Sequence, residues 1–281
     1  MTKKFILNAD DFGKSKAHNR AVLRGYKEGI LTSASIMADG SAFEDAVQKV
    51  IPQCPDLSIG VHLNIIEGKS LTHAPMLTDK NGIFNNSYGN IILKSFNKTF
   101  LEQTEQEFRA QIETVLSKTK ADHIDSHVHT HAVPNIFKLA VKLAQEYKIP
   151  YVRTQFEHMY IIPSLKKHLT LKYPVNILKI ILLDTFTKIN LKTLKTSSIK
   201  TNDYLIGAGY TGMMDEDAVI YGLKALIKKE CITEALIHPC DYENNFKDRH
   251  TAEFQLTLSK KLKEQIFNTG FELSNHTETF K

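Results

Sequence analysis

The stretch HIDSHVHTHAVP, residues 123–134, sets His123, Asp125, His127, His129 and His131 at alternate positions. In an extended strand, side chains two residues apart share a face, so all five groups would line one side of a sheet. Imidazoles buried there without partners cost free energy, and a divalent cation that also takes a carboxylate from elsewhere satisfies several of them at once. One or two histidines on a strand are more often ordinary hydrogen-bonded groups. An array at this spacing predicts a strand that carries a metal-binding face.

Working outward, short β-type runs alternate with longer helical patterns. Strands are expected at 4–11, 30–37, 57–65, the histidine run, 149–155, 202–207, 232–239 and 271–276. Helical spacing is clearest at 15–29, with Ser15 as N-cap and Gly29 beyond the end, and at 99–118 and 135–147. Helices are also expected after residue 41 and at about 215–230 and 251–268, while residues 78–90 read as a Gly/Asn-rich loop. Eight strands separated by helices imply parallel pairing, in a closed barrel or an open doubly wound sheet. No G-x-G-x-x-G follows the first strand and there is no Walker A motif, which disfavours the nucleotide-binding open sheet. Asp10, Asp11, His62, His127, Arg153 and His238 fall near the C-terminal ends of strands, where a (β/α) barrel keeps its active site. The expected fold is therefore a single-domain TIM-like α/β barrel over residues 1–281, distorted or incompletely closed. No internal repeat or linker interrupts it.

Composition agrees with a globular chain: 42% hydrophobic and 24% charged residues, with a formal net charge of +5. Part of the basic excess sits in residues 161–200, where Lys166, Lys167, Lys172, Lys179, Lys188, Lys192, Lys195 and Lys200 face a single acid, Asp184. Without interleaved aromatics, this segment reads as a partly helical, solvated face and not as a nucleic-acid surface. Its apolar cluster Ile177, Leu178, Ile180, Ile181, Leu182 and Leu183 is too short for a bilayer span, so packing or a homodimer contact is its expected cover. Cys54, Cys231 and Cys240 form no C-x-x-C pair, and the N-terminus lacks a signal peptide's apolar core, so a cytoplasmic location is expected.

NADDFG, residues 8–13, puts two carboxylates side by side at a strand exit. On a regular strand Asp10 and Asp11 face opposite ways, so both reach one site only if the strand ends or bulges there. GVHLN, residues 60–64, sets His62 in an otherwise apolar strand. Taken singly, these read as a turn or cap and a satisfied core histidine. Together, Asp11, His62 and His127 supply one carboxylate and two imidazoles, the donor set of catalytic divalent-metal sites with open positions.

LNADDFG, GILTSASIM, IGVHLN, HIDSHVHTHAVP, YVRT and EALIHP, in this order and spacing, resemble the YdjC/ChbG-like carbohydrate deacetylases of the chitooligosaccharide deacetylase type. The resemblance spans nearly the whole chain. It implies a barrel-like fold and a divalent metal at Asp11, His62 and His127, with Mg²⁺ the family expectation and Zn²⁺ the better match to two imidazoles. It implies hydrolysis of an N-acetyl group on a mono- or oligosaccharide, with Asp10 as general base and His238 as the acid for the leaving amine. Arg153 would orient Asp10 or bind substrate, and His129 and His131 would support the metal face or touch the sugar. Cys240 stands where the family carries glycine, which suggests a differently shaped loop after His238. Rival readings are another metal-dependent hydrolase, such as a phosphoesterase or amidohydrolase, an iron oxygenase, a thiol hydrolase using Cys240, and a metal- or sugar-binding protein without turnover. An oxygenase or a binding protein gives Asp10 no task.

Overall fold

A computed structural model describes residues 3–163, 172–242 and 248–280. Eight strands form: β1 (Lys3–Phe12), β2 (Ser33–Ile36), β3 (Ser58–Leu63), β4 (His123–Ser126), β5 (Tyr151–Val152), β6 (Tyr204–Ile206), β7 (Ile232–Ile237) and β8 (Phe271–Leu273). All pair in parallel, in the order β5-β4-β3-β2-β1-β7-β6, with β8 beside the first residues of β1.

Alternation within the strands decides what faces where. Phe5, Leu7 and Ala9 of β1, Ala34 and Ile36 of β2, Ile59 and Val61 of β3, Ile124, Val152, Ala235 and Ile237 join one apolar core beneath the surrounding helices. Their neighbours Asn8 and Asp10, Ser33 and Ser35, His62, His123 and Asp125, Arg153 and Glu234 are equally buried but polar. They fill the inside of the sheet. Arg153, just past β5, touches Asp125 on β4, Asp10 on β1 and Glu234 on β7. One guanidinium reaches strands that far apart in the order only because the sheet curls into a half-barrel. Its edges are tied by backbone hydrogen bonds outside the ladder, Lys200 N–H to Pro150 O at 2.8 Å and Leu205 N–H to Phe156 O at 2.7 Å. Most TIM-barrel interiors hold branched aliphatic side chains; this one holds an ionic network.

The seven-strand path stays open, and β8 adds to β1 instead of closing the ring, in keeping with the expectation of an incompletely closed barrel. The structure departs from the sequence reading in three places. The histidine strand ends at Ser126, and residues 127–132 turn through left-handed Val128 (φ 54°) and His129 (φ 57°), so the alternate spacing does not place all five groups on one face. The helical pattern at 251–268 divides into Arg249–Thr257 and Lys260–Asn268 because Ser259 caps the second helix through Leu262 N–H at 3.0 Å. The stretch read as a loop gives way to a helix at Tyr88–Lys94, with the Ser87 hydroxyl accepting from Asn90 N–H. Within the lysine-rich segment a helix runs from Lys172 to Leu194, while Lys166 and Lys167 lie outside the described residues. Leu183 packs with Leu205, Ala208 and Leu236. No helix among the described residues is long and apolar enough to cross a membrane.

Candidate active site

The β1 exit bulges. Its register against β2 shifts between Ala9 and Phe12, and Asp11 takes φ 64°. Both carboxylates therefore reach one cavity of about 290 Å³, with His127, His129, Lys179 and His238 also on its wall. A larger groove of about 1090 Å³ beside Phe267 and Phe271 opens where β1 and β8 begin, and none of the candidate ligands lines it.

Asp11, His62 and His127 bring one ligand atom each within 4.8 Å of one another. Their placement follows from the pairing of β3 with β4, which sets His62 opposite Asp125. Asp125 Oδ1 lies 2.7 Å from His62 Nδ1 and holds that nitrogen as the donor. The lone pair of His62 Nε2 is thereby turned toward Asp11, 3.3 Å away, and this buried atom has no hydrogen-bond partner. His127 Nδ1 lies 2.8 Å from the same Asp11 oxygen. A carboxylate orienting a ligating imidazole from behind is the usual support of a metal site. Charge points the same way, since Asp10, Asp125 and Glu234 share the Arg153 guanidinium while Asp11 has only the Lys14 ammonium, at 3.3 Å, beside the two imidazoles. Burial alone would lower the His62 pKa, yet the Asp125 charge, the hydrogen bond that His62 donates to Asp125 and the nearby Asp11 carboxylate raise it to about 10. In the absence of a metal, a proton fills the role of the cation. The residues present therefore fit a divalent ion.

Asp10 is gripped from behind. Arg153 donates to both its oxygens at 2.9 and 2.8 Å, and Asn8 Nδ2 donates at 2.8 Å. Burial would raise this carboxyl, but the Arg153 charge, the His62 imidazole and the Arg153 hydrogen bonds hold it well below the usual carboxylate range. Arg153 is fully buried and does not line the cavity. His238 sits on the cavity wall with Nδ1 3.4 Å from Glu253 Oε2, and this carboxylate raises its pKa against the effect of burial. His131 turns away from the cavity to Ser126 and the Arg153 carbonyl. Cys240 is buried, with its sulfur 3.7 Å from His18 Nδ1.

Four participants carry no role in the sequence reading. Glu234 interrupts an apolar strand, a signal that it points into the interior, and Asp125 belongs to the alternating array of the polar strand His123–Ser126. Glu67, close to Lys14 at 2.6 Å and His127 at 3.6 Å, lies in an irregular loop that leaves no periodic signal. Lys179 sits within ILKIILL, residues 177–183, and a single lysine inside an apolar run is the trace it leaves.

Comparison with known proteins places this arrangement. The family described as YdjC-like protein matches residues 4–267. The chain belongs to the YdjC-like family. A carbohydrate deacetylase of Brevibacillus brevis is 39% identical over 149 residues, 52% of this chain and 58% of that protein. One from Geobacillus stearothermophilus is 35% identical over 161 residues, 56% of this chain and 63% of the relative. The matched region thus spans about three fifths of the length of these curated relatives. Among solved structures, an Enterococcus faecalis V583 protein named for cellobiose-phosphate cleavage superposes over 100% of both chains with TM-score 0.75 and 21% identity. An uncharacterized Agrobacterium tumefaciens protein follows at TM-score 0.52 and 9% identity over 99% of this chain and 89% of that one. At these identities the two structures speak to the fold alone.

Proposed function

We propose that this chain, read as one barrel domain, is a metal-dependent carbohydrate deacetylase that hydrolyses the N-acetyl group of an amino sugar or short chitooligosaccharide. The observation that carries the reading is the unpartnered Nε2 of His62, held by Asp125 and facing Asp11 and His127, which line a cavity together with an ionised Asp10. Family membership and relatives named carbohydrate deacetylase support it.

Asp11, His62 and His127 would hold a divalent ion, which supplies polarisation of the acetyl carbonyl and acidification of the attacking water. Two imidazoles and a carboxylate suit Zn²⁺, while Mg²⁺ is what the family resemblance implies. Asp10, kept ionised by Arg153, accepts the proton of the water. His238, whose imidazolium form Glu253 favours, donates to the departing amine. Arg153 acts on the reaction only through Asp10, as a positioning residue. Acetate release from a panel of N-acetylated mono- and oligosaccharides, by chelated protein and after adding back Mg²⁺ or Zn²⁺, tests the reading. Release that depends on added metal is the expected result, and metal-independent release or none from any sugar overturns it.

A further inference from the structure

On the deacetylase reading, the cavity must also grip the sugar at a distance from the scissile amide. The metal ligands come from β1, β3 and β4, and none of them is free for that task. A second wall is built from elsewhere in the chain. Lys179, on the helix Lys172–Leu194, extends its ammonium to the cavity and donates to Thr211 Oγ1 at 3.0 Å. Thr211 is itself fixed, its hydroxyl donating to the Gly207 and Ala208 carbonyls at 3.0 and 2.9 Å. No carboxylate among the described residues lies within ion-pair distance of Lys179. An ammonium has three donors, and one hydrogen bond leaves two of them directed elsewhere.

Beside it stands His129, 5% exposed, whose Nδ1 is buried without a hydrogen-bond partner. The backbone is bent to put it there. Val128 and His129 both occupy the left-handed region, at φ 54° and 57°, a conformation that costs a β-branched residue like valine the most. Strain of this kind is retained where surrounding structure and function select it. Two polar groups with unused hydrogen-bonding capacity, from unconnected elements, thus converge on one cavity that also holds Asp10.

We propose that Lys179 and His129 form the sugar-positioning wall of this site, with Lys179 donating to ring hydroxyl or linkage oxygens of the acetylated sugar and His129 accepting from, or donating to, a neighbouring hydroxyl. Lys179 stays an ammonium at neutral pH, since burial lowers its pKa only to about 8 against the pull of Glu157 and Asp10, and it therefore offers donors to the oxygens of a polyol. His129 brings its unpartnered Nδ1 to the same wall. A neutral imidazole offers one donor and one acceptor, the pair that a hydroxyl needs.

The test uses the full-length metal-loaded protein and di-N-acetylchitobiose. Lys179→Met is expected to raise KM by roughly tenfold to a hundredfold, the loss of one or two hydrogen bonds from a charged donor, with kcat within a fewfold. Lys179→Arg is expected to recover most of that loss, since it restores a donor. Calorimetric binding of the same sugar to Asp10→Asn protein, with and without Lys179→Met, must show the same weakening in Kd. Metal content is expected to stay at the parental value in every variant, and the Lys179 substitutions are expected to leave the melting temperature of their own parent unchanged. If the parent turns over the sugar and Lys179→Met leaves KM and Kd unchanged, or Lys179→Arg gives no rescue, the sugar-positioning role is wrong while the deacetylase reading stands. If neither parent nor Asp10→Asn protein turns over or binds any N-acetylated sugar, both fall.

Discussion

The curled sheet holds two His/Asp clusters of similar composition, one at each end of its strands. Asp11, His62 and His127 meet at the C-terminal end; Asp122, His123 and His276 meet near the N-terminal start of β4. In the second cluster the rings of His123 and His276 stack at 3.8 Å, His123 Nε2 lies 3.1 Å from Ser35 Oγ, and His276 Nδ1 lies 2.9 Å from Ser33 Oγ. Asp122 takes hydrogen bonds from Ser58 and Thr277. Gly60 makes room for it, since a Cβ there would stand 2.1 Å from the His123 ring. Each cluster leaves one imidazole Nε2 without a hydrogen-bond partner, that of His62 and that of His276, but the His123–His276 pair is packed shut by stacking and hydroxyls, whereas Asp11 and His127 of the first cluster open on a cavity. Residue type and proximity are the same, so accessible donor capacity separates a ligand set from a structural knot.

That difference is broken or sharpened most directly by metal content. His62→Ala and His127→Ala are each expected to abolish stoichiometric metal binding and to reduce acetate release below detection, as measured by elemental analysis of purified protein and an acetate assay. His123→Asn is expected to keep one metal per chain and lose stability only. A His123 variant that loses its metal, or a His62 variant that keeps it, reverses the assignment of the two clusters. Next in size, Asp10→Asn is expected to retain metal and lower kcat by about 10²–10⁴-fold, the contribution of a positioned general base. Activity within a fewfold of the parent would make Asp10 a structural carboxylate.

The contrast also marks what the sequence makes legible. The strand positions follow from alternation of apolar and polar residues, and Asp10, Asp11, His127 and His238 share one cavity because each sits at a strand exit, with His62 reaching Asp11 from behind it. The expectation that a bulge must bring both aspartates together is met by the shifted register and the φ of Asp11. The histidine array is different. Its alternation continues beyond Ser126 in sequence but not in space, because the left-handed pair Val128–His129 breaks the period, and no local residue preference announces that turn. His123, counted with the array, belongs to the other end. Lys179 and Glu67 reach the cavity through tertiary placement of a helix and a loop, and periodicity carries no information about that.

Between the two clusters, Arg153 connects them electrostatically, bonded to Asp10, Asp125 and Glu234, with Glu234 3.5 Å from His276. Removing one partner of a buried ionic network strands the others. Arg153→Met is expected to lower unfolding free energy by about 3–5 kcal/mol, measured by urea denaturation, with Arg153→Lys intermediate because it keeps the charge without the planar fork. A loss under about 1 kcal/mol would mean that the carboxylates take up protons and that the network does not bind the two ends together.

The last expected effect is one of sign. In metal-free protein the His62 pKa is raised to about 10, by Asp125 and Asp11 against burial, compared with about 6.5 in an unfolded chain. Folding takes up a proton there, so this stabilisation is complete below about pH 6.5 and is lost as pH rises toward 10. His276 runs the other way. Burial and the charge of His123 lower its pKa against the pull of Glu234 and Asp122. Folding then releases a proton, and the contribution is complete above about pH 6.5 and lost as the solution is acidified. One proton changes stability by at most about 1.4 kcal/mol per pH unit. Urea midpoints of chelated protein between pH 5 and 10 are therefore expected to fall at both ends, with His62→Asn flattening the alkaline limb and His276→Asn the acid limb. Saturating Zn²⁺ should remove the alkaline limb from the parent alone, because the ion takes the place of the proton on His62. If either substitution flattens both limbs, the clusters titrate as one unit through Arg153 and the separation between an open ligand set and a closed knot does not hold.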